Sequence, residues 1–430
     1  MTVIPKKLVE LFVEPHKAEP TRRLSLLLGS GFSRPDGMPL VGHINERLSG
    51  LKEGDFYLYQ EMSAGFYNGK YRDPNANITL NDRRIAEEFV AFYVKTFLHG
   101  DQSCFNYEKF FDYFSEFLVE KLHREEIEWF CATYNEKYGI EGQFNNGLNY
   151  LSRFLNIFNQ LVASLLTQPK YYQNISYTGG YPGYEHFTRL IKELLKTYRV
   201  HVHSLNHDML FDHIGSSVSG IFEHYSDGFA EAGSKYFGEL RYRPKQIEEE
   251  FYKTYHVRLQ YYVGDYSKRL SFLKLHGSVD YFPLYLRETD KPVTIKRDYG
   301  VGEVLMERFD EHAQKFVYEN PFTHRYPAFL TGTTQKIKRY NDAFYENLFV
   351  NFKDNLENSE KLIVIGYGFQ DDGINELLKE HFLAKGKKIL VVDIKKPDCP
   401  LFKSFPEYFL FSSAGVSDTI YAEYEEFLRK

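Results

Sequence analysis

Asn206, Asp208 and His276 are the residues of this 430-residue chain with the most to offer chemically. Asn206 and Asp208 follow the apolar segment Val200-His201-Val202-His203-Ser204, one residue apart, a spacing that projects both side chains from one side of an extended strand end. A carboxamide there can orient a water or a sugar hydroxyl, and a carboxylate can stabilise developing positive charge. Asn and Asp are also preferred helix N-caps, and capping accounts for the pair as well. His276 stands between Phe272-Leu273-Lys274-Leu275 and Gly277-Ser278, where it suits a general base or a histidine satisfied by backbone hydrogen bonds. His201 and His203 share a strand face and His207 is close in sequence, but no third ligand has a metal-site spacing, so no metal is expected. Asp393 closes the Val-rich segment 388–394 and can bond ribose hydroxyls or cap a loop.

These residues need elements that bring them together. Leu24-Ser25-Leu26-Leu27-Leu28 is an apolar run closed by Gly29-Ser30-Gly31-Phe32-Ser33, the pattern of a buried parallel strand ending in a tight turn. Two glycines one residue apart allow close approach to a ligand, and N–H groups of a following helix would face a pyrophosphate. The generic dinucleotide fingerprint wants a third glycine where Arg34 stands, so the turn by itself also reads as purely structural. Further strands are expected at 200–204, 272–275, 361–368, 388–394 and near 408–411. Helices are expected at about 41–51, 186–197, 340–357, 372–385 and from about 418. Strands alternating with helices define an α/β fold, a doubly wound parallel sheet, and ligands of such sheets bind at the strands' carboxyl ends.

Residues 52–174 differ in character. Phe110, Phe111, Phe114, Phe117, Leu118 and Leu122 recur at helical spacing, as do Leu151, Phe154, Leu155, Phe158, Leu161 and Leu165. With 84–98 and 126–134 they form an aromatic-rich helical insertion, and the stripes read as core or subunit interface. The division expected is 1–51 with 175–430 as the nucleotide-binding domain and 52–174 as the insertion. A short helix is expected within 1–23 and a turn over 176–183 that closes the insertion. A charged helical piece is expected near 246–255, and a loop or small hairpin at 285–325.

Lys and Arg number 53 against 59 Asp and Glu, a formal charge of −6, which argues against a protein built to coat nucleic acid. Aromatic residues make up 17% of the chain, enough for well-filled cores or interfaces. Cys104, Cys131 and Cys399 have no metal-ligand spacing, so neither a disulfide framework nor a four-cysteine zinc site is expected. With no secretory pattern at the start and no apolar run near the roughly 20 residues that span a bilayer, a cytoplasmic, membrane-free location is expected.

Taken in order, Gly29-Ser-Gly-Phe-Ser33 with Gly37-Met-Pro-Leu40, Ser204-Leu-Asn-His-Asp208, Leu275-His-Gly-Ser278 and Gly366-Tyr-Gly-Phe-Gln-Asp371 with Ile374-Asn375 resemble the sirtuin-like superfamily. The chain is most similar to the divergent sirtuin-like NADase domains of bacterial anti-phage systems. The resemblance spans residues 24–394 and leaves out the insertion. It implies a Rossmann-type site for NAD as substrate, with Gly29, Ser30, Gly31, Phe32 and Ser33 at the pyrophosphate. It places Asn206 and Asp208 beside the nicotinamide ribose, His276 at the family's catalytic histidine, and Gly366, Phe369 and Asp393 at the adenosine half. Gly277 and Ser278 join the cofactor-binding set. The implied reaction is hydrolysis of NAD to nicotinamide and ADP-ribose, gated because constant activity would be toxic. Implied partners are a second copy of the chain and a HerA-like ATPase or short Argonaute.

The chain departs from protein-deacylating sirtuins. It cannot supply their zinc module, Leu40 and Val41 follow Gly37-Met-Pro39 in place of Asp-Phe-Arg, and Leu205 stands where they usually carry Gln. NAD cleavage is favoured over deacylation, and a non-catalytic module that senses NAD or ADP-ribose is the other alternative.

Overall fold

Leu24, Leu26 and Leu28 point to one side of the first strand and Leu27 to the other, and all four are fully buried. A strand apolar on both faces has to be covered on both. The computed structural model describes residues 20–52, 56–59, 63–66, 80–120, 122–138, 147–166, 181–242, 253–286, 292–297, 301–322 and 343–430. The expected helix within 1–23 (except residues 20–23) and the turn residues 176–180 lie outside them.

Seven parallel strands form the central sheet: β1 (Arg23–Leu28), β2 (Arg199–Ser204), β3 (Tyr225–Ser226), β4 (Leu270–Lys274), β5 (Lys361–Ile365), β6 (Ile389–Val392) and β7 (Phe409–Ser412). Their spatial order is β7-β6-β5-β1-β2-β4-β3. Every neighbouring pair is parallel. Helices Glu185–Leu194, Leu210–Ser217 and Tyr421–Arg429 cover the face presented by Leu24, Val200, Ile363 and Val392. Helices Ala343–Asn358 and Asp372–His381 cover the face presented by Leu27, Leu273, Val364 and Val391. The doubly wound α/β architecture is as the alternating pattern requires.

The insertion contains helices Leu80–Thr96, Tyr107–Glu120, Arg124–Tyr138 and Gly147–Leu166 around a core of stacked and edge-on rings. Phe110, Phe111, Phe114, Phe117 and Phe158 are buried in it, which makes the aromatic stripe core. Leu122 is 44% exposed and lies outside that core. A short hairpin, Phe56–Tyr59 with Ser63–Phe66, precedes these helices and was not expected in a helical insertion.

Two four-stranded antiparallel sheets overturn the reading of the 215–325 region. Lys253–Arg258 is a strand paired with Tyr236–Tyr242, not the end of a charged helix; residues 246–252 lie outside the described set. Lys-Thr-Tyr-His-Val-Arg contains the strand-favouring Thr254, Tyr255 and Val257, and cross-strand pairing outweighs the charge run before it. Residues 285–325 do hold a hairpin, Val301–Asp310 with Lys315–Glu319, and in addition the strand Pro292–Lys296. Among the described residues no helix is long and apolar enough to cross a membrane.

Candidate active site

The chain leaves β1 toward β2 and leaves β5 toward β6, so a crevice opens between the carboxyl ends of β1 and β5. Two glycine turns meet there. Gly29 N–H donates to Ile365 O and Gly31 N–H to Gly366 O, each at 2.9 Å. Gly366 holds φ +64°, and a Cβ on it would lie 2.3 Å from the Phe32 nitrogen. A Cβ on Gly29 would lie 2.6 Å from Gly366 O. Backbone pressing on backbone therefore demands these glycines, whatever else the turn holds.

The Gly29–Ser33 turn continues as a single helical turn, Ser30–Ser33, too short to build much of a dipole. The amides of Gly29, Gly31 and Phe32 already donate to protein carbonyls, leaving few to face an anion. The Phe32 ring is buried against Tyr184, Phe187 and Phe211. Ser33 is buried and faces the end of β2.

Asn206 crosses from that end to the turn. Its Nδ2 donates to Gly29 O at 2.9 Å and to Ser33 Oγ at 3.0 Å, so the carboxamide ties β2 to β1. Asp208 makes an Asx turn and not an N-cap: its Oδ1 accepts the Leu210 N–H at 3.0 Å, while Met209 holds the cap position of helix Leu210–Ser217. Burial raises the Asp208 carboxyl above its ordinary range, while Lys274, the Leu210 amide and the Ser33 hydroxyl pull it back. Asn206 and Asp208 thus converge on Ser33.

His276 lies just past β4 and is 5% exposed. Its Nε2 is 3.3 Å from Asp371 Oδ2, close enough for an ion pair. The His207 ring stands 6.2 Å from the His276 ring. His201 and His203 do share a face of β2, but they sit inside the fold. His201 Nδ1 bonds Ser271 Oγ at 2.7 Å, and the His203 ring lies 4.7 Å from that of Phe352. Among the described residues no group of three or more His, Cys, Asp or Glu is placed to hold a metal ion.

Beneath the two loops lies a buried charge network. Lys274 Nζ donates to Asp208 O at 2.5 Å, Ser278 Oγ at 2.5 Å and Asp212 Oδ2 at 3.0 Å. Lys296 Nζ reaches Asp212 Oδ1 at 3.1 Å and Asp227 Oδ2 at 2.5 Å. Burial alone would raise the Asp212 carboxyl, but the two ammonium groups hold it down at about 2. Asp280, buried beside the same lysines, is pushed up to about 6 by burial against their pull. Ser278 is fully buried inside this network, and Gly277, at φ +78°, makes the turn that puts it there.

At the far side of the crevice Phe369 takes φ +55° and buries its ring against Tyr367, Phe402 and Phe409. Asp393 is half-buried at the end of β6, where burial raises its carboxyl and Oδ1 accepts the Lys395 N–H at 3.3 Å. The insertion also reaches the site: Met209 and Val279, next to Asp208 and Ser278, belong to its hydrophobic core.

Sequence reasoning did not single out Asp371, Lys274, Asp212 or Lys296. A lysine inside the otherwise apolar Phe272-Leu273-Lys274-Leu275 was a usable signal, since a fully buried ammonium requires an anion. Asp371-Asp372 before Gly373-Ile374-Asn375 was an N-cap signal, and nothing in one sequence says which histidine such a cap would meet.

No protein-family model and no curated protein sequence matches the chain. Two solved structures align with it along nearly their whole lengths, both complexes of mutant Sir2 homologues. One, with ADP-ribose, is 10% identical at a TM-score of 0.34, covering 99% of this chain and 98% of that one. The other, with 2′-O-acetyl ADP-ribose, is 12% identical at a TM-score of 0.33, covering 99% of each. Similarity this low does not carry a ligand or an activity from those proteins to this chain.

Proposed function

We propose that this chain is an NAD+ glycohydrolase that releases nicotinamide and ADP-ribose. The observation that carries the reading is that Asn206 and Asp208 follow β2 and His276 follows the adjacent β4, with Asn206 bonded to the glycine turn of the crevice. The ordered resemblance of these same segments to sirtuin-like NADases supports it. Nicotinamide leaves as a neutral group with the bonding pair of the C1′–N bond, so no strong acid is needed, and positive charge develops on the ribose. Asp208 would face that charge, Asn206 would orient the ribose or the water, and His276 would take the water's proton, an effect typically worth about 10²–10⁴-fold. Gly29–Ser33 would hold the nucleotide's phosphate side, and Gly366, Phe369 and Asp393 the adenosine half.

The proposal extends to a cytoplasmic anti-phage effector that acts as a homo-oligomer, gated by a HerA-like ATPase or short Argonaute. The insertion over 52–174 would take part in gating, since its core holds Met209 and Val279. The near-complete burial of Asn206, Asp208 and His276 favours a second reading, a module that senses NAD or ADP-ribose without turnover. Purified protein incubated with NAD+, alone and with its genomic-neighbour partner and without acyl peptide, is expected to release nicotinamide. Binding without release would support the sensor, and release that survives both Asn206→Ala and His276→Ala would overturn the site.

A further inference from the structure

His276 and Asp371 approach each other from distant strands. β4 leads to His276 and β5 to Asp371, with β2 and β1 between them, so their strand ends stand about 14 Å apart at about 4.8 Å per interval. The side chains nevertheless meet at 3.3 Å, over the strands that carry Asn206 and the glycine turn. Asp371 is itself pinned: its Oδ1 caps helix Asp372–His381 by accepting the Ile374 N–H at 3.1 Å, and its own N–H donates to Tyr367 Oη at 3.3 Å. Oδ1 thus fixes the Asp371 side chain on the helix while Oδ2 stands 3.3 Å from the imidazole Nε2.

We propose that Asp371 is the positioning residue of His276. This rests on the reading of His276 as the base and goes beyond it by naming the group that sets its charge. A neutral imidazole carries one N–H and one lone pair. The carboxylate, 3.3 Å from Nε2, favours the charged imidazolium over the neutral ring. During hydrolysis the C1′–N bond breaks with its electron pair leaving on nicotinamide. The water oxygen forms the new C1′–O bond, and the water proton passes to the imidazole and then to solvent. Asp371 accepts no proton; it holds the ring and stabilises the imidazolium. His207, from the loop after β2, is the second titratable ring facing His276.

Asp371→Asn tests this, because Asn retains an N-cap and removes the charge. In imidazole NMR of the full chain, assigned with His276→Gln, the His276 protonation midpoint is expected to fall by about one pH unit or more. An unchanged midpoint overturns the proposal. In NAD+ cleavage, kcat is expected to fall about 10- to 100-fold with KM unchanged. The acid limb of the pH profile should move to lower pH, and Asp371→Glu should recover part of the rate. Cleavage as fast as wild type or faster would mark the contact as a latch, and would also overturn it. Should the wild type release no nicotinamide, the NADase reading falls while the imidazole titration still decides the pair. Asp371→Ser, with a second N-cap residue, takes over if the Asn variant does not fold.

Discussion

Asn206 places two amide protons on two acceptors in the crevice wall, Gly29 O, which also accepts the Phe32 N–H, and Ser33 Oγ. Asn206→Ala removes both donors, and Asn206→Asp replaces them with an anion against a carbonyl. Each is expected to slow nicotinamide release at least about 100-fold, as loss of an oriented polar group does in other active sites. The Asp variant should also melt lower than the Ala variant in thermal unfolding, because its carboxylate is buried against an acceptor. Lys274 is the more consequential side chain for stability. Lys274→Met leaves Asp212 with Lys296 alone and strips the Asp208 carbonyl and Ser278 hydroxyl of their shared donor. Urea unfolding should show a loss of about 3–5 kcal/mol, the usual consequence of removing one partner from a buried ion pair.

The strand-end turns are where the elements lock together. Gly366→Ala puts a methyl 2.3 Å from the Phe32 nitrogen at φ +64°, with only backbone there to yield. It should lower the melting temperature sharply or leave the protein insoluble, whereas Gly42→Ala, in helix Val41–Ser49 with nothing within 4 Å, should be neutral or stabilise by about 0.4–1 kcal/mol. The contrast separates a glycine required by contact from one that is not. Six of the seven parallel strands were legible because each is a short, largely apolar run closed by turn formers, whereas the two-residue edge strand Tyr225–Ser226 carries no such signal. The antiparallel sheets of residues 228–319 were not, because their strands alternate polar and apolar residues weakly and some pair with partners far along the chain. Pro292–Lys296, for instance, pairs with Tyr281–Tyr285 and Tyr261–Asp265.

For the molecule as a whole, acid should be the weak point. Burial, with Arg23 and Arg199 nearby, lowers the His201 pKa to about 3, and burial drives His203 well below its ordinary value. The unfolded chain protonates both near pH 6.5, so below that pH it binds more protons than the folded state. Stability is therefore present above pH 6.5 and falls as pH drops toward the folded values, by up to about 1.4 kcal/mol per pH unit per histidine. Urea midpoints at about pH 7.5 and about pH 5 should show the loss. His203→Leu should flatten it and raise neutral stability, since both ring nitrogens are buried without a hydrogen-bond partner beside Leu27, Leu273 and Phe352. A single histidine variant of this kind also distinguishes the interior pair from His207 and His276 at the site.

By itself the sequence determined the central sheet, the helical character of the insertion and the short stretches that come to the crevice, because burial period and glycine turns are local signals. Tertiary structure alone decided what each polar residue does there. Whether Asn206 caps a helix or ties down the β1 turn depends on Gly29 and Ser33, more than 170 positions earlier. That His276 meets a carboxylate, and that this carboxylate is Asp371, depends on four strands lying side by side in the order β4-β2-β1-β5. Hydrogen bonds and ion pairs act over about 3 Å of space, and one chain's spacing carries no record of which distant residue fills that space.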